Sequence, residues 1–151
     1  MKQPYYDFQA STSQLSFTFD SIGPNGIIPK AVVYSPLYNM ADIYNLAFGD
    51  MISDEDFDDE VISNNNDRDK VLATVIQTMM VFFETYPNKI VFLTGSTPSR
   101  TRLYQIIINR EYYTVSEVFE IEGVKNNTRE KIVQNKRYDA FLIKLKTITK
   151  K

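Results

Sequence analysis

At 151 residues and 17.5 kDa, with 43% hydrophobic and 24% charged residues, the chain has the size and composition of one domain, residues 1–151, able to bury a core. It contains no cysteine and no histidine, which excludes disulfide frameworks, thiolate chemistry, Ser-His-Asp triads and histidine-ligated zinc. The net charge of −2 is uneven: residues 1–63 carry two cations against ten acids, and residues 64–151 fifteen against nine.

Such asymmetry either neutralises itself within the molecule or steers a charged partner. No apolar stretch approaches the length that spans a bilayer, and the start MKQPYYDF lacks the apolar centre of a signal peptide. The expectation is a cytoplasmic protein with no membrane partner.

Strands come first. Leu15, Phe17 and Phe19 alternate with Ser16, Thr18 and Asp20, the period of a half-buried strand. Gly23-Pro24-Asn25-Gly26 carries turn chemistry and Ile28 to Ser35 resumes a strand, so residues 15–35 read as a hairpin. Ile43 to Gly49 is a further strand, and Val61-Ile62 a short one after an acidic loop.

That loop, residues 54–60, places Asp54, Asp56 and Asp58 at the first three spacings of a calcium loop. Asp59 then stands where glycine is required and Asn65 where glutamate is required, so no metal site is expected.

The period next becomes helical. Val71, Leu72, Val75, Ile76, Met79, Met80, Phe82 and Phe83 share one face, Asn66 or Asp67 can cap the start, and Tyr86-Pro87-Asn88 ends it. Ile90 to Thr94 is a short apolar strand, followed by a second helix from Pro98 to Arg110. Phe119 to Val124 and Tyr138 to Leu145 close the chain as strands. The fold class is α+β: a mixed, mostly antiparallel sheet of six to eight strands with two main helices, in the order βββββ-α-β-α-ββ.

Chemistry concentrates at the turn Gly95 to Arg102. Thr97 fits a helix cap and Pro98 the first helical position, so free backbone N–H groups gather at the end of a buried strand. First turns usually carry acids, yet this one carries Arg100 and Arg102, with no acid before Glu111. Ser96, Thr97, Ser99, Arg100 and Arg102 are the candidate ligand-binding residues, for an anionic ligand or protein partner. Arg100 is the better-placed ligand, and Arg102, about 200° round the helix, serves a neighbouring surface. The alternative is that residues 54–60 supply the negative charge. No cofactor is called for.

Tyr5, Tyr6, Tyr34, Tyr38 and Tyr44 could offer a stacking platform for bases, but they lie in the acidic half, which repels a phosphate backbone. A nucleic-acid partner therefore fits only the basic C-terminal half. Surface tyrosines and sheet edges would also suit a homodimer.

At Asn45-Leu46-Ala47-Phe48-Gly49-Asp50, Val71-Leu72-Ala73-Thr74-Val75 and the run Thr94 to Tyr104 the chain resembles an uncharacterised bacterial family of small stand-alone proteins, a domain of unknown function. The resemblance covers nearly the whole chain and implies no activity. In element order the C-terminal half is also similar to the Gcn5-related acetyltransferases. Arg68-Asp69-Lys70-Val71-Leu72-Ala73 stands where that fold holds the coenzyme A pyrophosphate, with valine in place of the central glycine. Leu103-Tyr104 stands where it carries a tyrosine general acid. Three functional classes follow: a non-catalytic binding or regulatory module for an anion at Gly95–Arg102, an acyl-CoA-dependent N-acyltransferase using Tyr104, and a nucleic-acid-binding protein.

Overall fold

The computed structural model describes residues 4–53, 56–58, 64–95 and 97–146, without the side chains of residues 41 and 56–58. Its strands are β1 (Gln9–Ala10), β2 (Ser16–Gly23), β3 (Gly26–Leu37), β4 (Met40–Ser53), β5 (Asp56–Asp58), β6 (Ile90–Leu93), β7 (Phe119–Lys125), β8 (Thr128–Lys131) and β9 (Ala140–Leu145). The helices are α1 (Arg68–Thr85), α2 (Pro98–Arg110) and the single turn α3 (Tyr112–Val115).

Hydrogen bonding joins the strands in the order β1-β2-β3-β4-β6-β9-β7-β8, with β5 on β4. The α+β class, the mostly antiparallel mixed sheet and the two main helices are as the sequence predicts. Val61-Ile62 and most of the acidic loop lie outside the described residues; β5 lies within that loop. The chain divides into two compact units, Met1–Ser35 with Leu46–Tyr86, and Pro36–Asn45 with Pro87–Lys151.

In the first unit the predicted hairpin forms, with Phe17 opposite Val32 and Phe19 opposite Lys30. The positive φ of its turn falls on Gly26, at 86°, where glycine carries no steric cost. Asn65, 1% exposed, holds the turn from outside: its side-chain oxygen accepts the Asn25 N–H at 2.8 Å and its amide donates to the Gly26 carbonyl at 2.9 Å.

Helix α1 buries Val71, Leu72, Val75, Met79, Phe82 and Phe83 of the apolar face read from the sequence, while Ile76 and Met80 of that face are half-buried. Tyr34 stacks on Phe82 at 4.5 Å between centroids, and its hydroxyl meets the Thr78 hydroxyl at 2.8 Å. Burial raises the Tyr34 pKa. Asp67 occupies the N-cap position but its side chain caps nothing. Its carboxylate instead accepts the Tyr6 hydroxyl at 2.6 Å and the Ser21 hydroxyl at 2.5 Å. The carboxylate thus serves two tertiary hydroxyls in place of the local cap, and the Tyr6 hydroxyl also has the Ile22 carbonyl within reach at 3.2 Å.

In the second unit the last strand inserts between two earlier ones. β9 pairs antiparallel with β6 (Val91 opposite Ile143) and with β7 (Ile121 opposite Ile143). β8 folds back on β7 through Asn126 and Asn127, both at positive φ, the conformation of a two-residue hairpin turn. Val91, Leu93, Phe119, Ile121, Phe141 and Ile143 form the sheet's share of this core. α2 contributes Tyr104, Ile107 and Ile108.

Candidate functional site

The site is built in the second unit, where β6 ends at Leu93 and the chain turns into α2. Gly95 is required by close approach: a Cβ there would lie 2.5 Å from the Thr101 backbone nitrogen and 2.6 Å from the Arg100 Cβ. Its N–H donates to the Thr101 hydroxyl at 2.9 Å, which ties the turn to the first turn of the helix. Thr97 is the cap, as its position predicts: its hydroxyl accepts the Arg100 N–H at 3.3 Å, and its carbonyl accepts the Arg100 and Thr101 N–H groups at 3.1 Å. The first turn holds no acid.

A cleft of about 540 Å³ opens beside this turn. From α2 it is lined by Pro98, Ser99, Thr101, Arg102 and Gln105, and from the segment before β9 by Arg137, Tyr138 and Asp139. Pro98, Thr101, Arg102 and Gln105 have the spacing of one helix face. That spacing decides which arginine reaches the cleft. Arg102 lines it and Arg100 does not, the reverse of the order the sequence suggests. Of the other candidates, Thr97 and Ser99 line the cleft and are exposed, while Ser96 lies outside the described residues.

Gln105, 7% exposed, fixes the opposite wall. Its amide nitrogen donates to the Lys136 carbonyl, and its oxygen accepts the Tyr138 N–H at 3.2 Å. Tyr138 lies against Gly123, where any Cβ would run into its ring. The Tyr138 hydroxyl accepts the Val133 N–H at 3.0 Å and donates to Glu130 at 2.9 Å; Lys136 donates to the same carboxylate at 2.7 Å. The Lys136 and Tyr138 bonds hold the Glu130 carboxyl below its usual range, the Glu130 bond raises Lys136, and burial raises Tyr138. Thr94 completes the frame, donating from its hydroxyl to the Asp139 carbonyl at 2.9 Å.

Among the described residues neither Arg102 nor Arg137 joins an ion pair. The cleft therefore presents two exposed guanidinium groups against one exposed carboxylate, Asp139. Arg137, Tyr138 and Asp139 had no local signature: they reach α2 through the return of β9, a contact between residues more than thirty positions apart. Tyr104 is 9% exposed, packs on the core side of α2 and does not line the cleft. Arg68 to Ala73 form the first turns of α1, with Val71 and Ala73 buried. Among the described residues no group of three or more His, Cys, Asp or Glu could hold a metal ion, and no helix is long and apolar enough to cross a membrane.

No curated protein and no solved structure matches the chain. The model of one family does, over residues 2–146, and the chain accordingly belongs to the family of unknown function DUF6934.

Proposed function

We propose that the chain is a cytoplasmic binding module, without catalysis of its own, that takes up a small anion in the cleft beside the start of α2. One observation carries the reading: Arg102 and Arg137, from separate elements, line the same cleft without an ion-pair partner among the described residues. An arginine fork supplies parallel donors that suit phosphate and carboxylate. The helix start contributes in the same sense, since its dipole favours negative charge and no acid of its own occupies the first turn. The buried position of Tyr104 supports binding over acyl transfer, because a proton donor must reach the reacting atoms.

The test is a titration of the isotope-labelled protein with inorganic phosphate, followed by backbone amide resonances. Those of Ser99 to Arg102 and Arg137 to Asp139 should move together, and Arg102→Ala or Arg137→Ala should weaken the response at least tenfold. Arg129→Ala, on the exposed β8, should leave it unchanged. A response spread evenly over basic surfaces, or one indifferent to Arg102 and Arg137, would overturn the reading.

A further inference from the structure

Resting on this cleft being an anion site, we infer that its ligand is a phosphate monoester of a hydroxylated organic group, of which a sugar phosphate is the simplest case. Arg102 and Arg137 hold the phosphate, and Asp139 accepts a hydroxyl of the organic part. The inference comes from which polar groups around the cleft are already committed. The Thr94 hydroxyl donates to the Asp139 carbonyl, and the Thr101 hydroxyl accepts the Gly95 N–H while donating to the Thr97 carbonyl at 3.3 Å. Gln105 is bonded through both ends of its amide. Tyr138 spends its hydroxyl on Glu130 and Val133.

Among the described residues, the side-chain groups left to meet a ligand are the two guanidiniums, the Thr97 and Ser99 hydroxyls, which both keep a proton to donate, and the Asp139 carboxylate. The Asp139 carboxylate accepts, among the described residues, only the Asn126 N–H, through one oxygen at 3.3 Å. Two cations and two hydroxyls match a phosphoryl group, which carries close to two negative charges and three strong acceptor oxygens. A carboxylate at the same cleft repels that group unless the ligand places a donor before it. The volume agrees. About 540 Å³ lies within the range of pockets that hold small organic molecules, whereas inorganic phosphate fills only a small part of it.

Ribose 5-phosphate and methyl phosphate are the probes, since both carry a phosphate monoester and only the first carries a hydroxylated body. Dissociation constants are measured by amide-shift titration for the wild type, Arg102→Ala, Arg137→Ala and Asp139→Asn, all at exposed positions. The expected result is ribose 5-phosphate binding at least tenfold more tightly than methyl phosphate, with that advantage lost in Asp139→Asn and both ligands weakened at least tenfold by either arginine variant. Equal affinity for the two probes, both abolished by Arg102→Ala, would overturn the inference and leave the anion site standing. A tenfold advantage that survives Asp139→Asn would overturn the role of Asp139 and with it the inference. Binding of neither probe, or binding that ignores both arginines, would overturn the anion site and the inference together.

Discussion

The side chain of Gln105 brackets Arg137: it donates to the carbonyl of Lys136 and accepts the N–H of Tyr138 at 3.2 Å. A helix residue thus sets the backbone on both sides of a cleft arginine, although it has no charge to offer a ligand. Gln105→Ala leaves two main-chain groups without their partners, each costing about 1–3 kcal/mol where water cannot replace the bond. The expected outcome is a drop of several degrees in melting temperature, together with weakened phosphate binding through displacement of Arg137. A variant with wild-type stability and wild-type binding would show that the bracket positions nothing.

Gly95→Ala should be among the more damaging single-methyl changes in the chain. The added Cβ would stand 2.5 Å from the Thr101 nitrogen, a contact that only backbone movement relieves. A loss of about 2 kcal/mol or more is expected, in the range of core overpacking. Denaturant unfolding measures it directly. Gly26→Ala provides a contrast of mechanism, because nothing lies near its Cβ and only its positive φ opposes the change.

Lys30 is fully buried in the first unit and pairs with Asp50 at 2.5 Å. Removing one partner takes the opposite charge away from the other, which stays buried, so Lys30→Met alone should destabilise by about 3–5 kcal/mol. The double variant Lys30→Met with Asp50→Leu should recover most of that loss. A double-mutant cycle on unfolding free energies tests this, and simple additivity of the two single losses would refute it.

The Glu130 cluster makes a pH prediction. The folded-state pKa of Glu130 is lowered by its bonds from Lys136 and Tyr138, below its ordinary value of 4.5. A lowered carboxyl contributes stability that is fully present above the unfolded pKa and is lost as pH falls through the folded one. The difference in melting temperature between wild type and Glu130→Gln should therefore be constant near neutrality and shrink below about pH 4.5. A difference that grows on acidification would have the wrong sign for this assignment.

Much of the architecture was legible because local pattern and burial agree. The alternation of Phe17 and Phe19, the helical face from Val71 to Phe83, and the Thr97-Pro98 start of α2 each appear where the residues place them. Short elements were less legible. β8 rests on the positive-φ pair Asn126-Asn127, a hairpin signal present in the chain but flanked by charged residues instead of an apolar alternation. Asp67 shows the limit of local reasoning from the other side. It takes the cap position, while its carboxylate serves Tyr6 and Ser21.

The sequence by itself determined the α+β class, the two main helices and the turn at Gly95 to Arg102, because each depends on side-chain period and on residues within a few positions of one another. Only the tertiary structure decided which arginines share a cleft. Arg102 is selected over Arg100 by the helix face it occupies with Pro98, Thr101 and Gln105. Arg137 joins it because β9 returns between β6 and β7 and because Gln105 grips the chain on either side of it. No local propensity encodes that meeting; it follows from strand order and from the need of buried main-chain groups for partners.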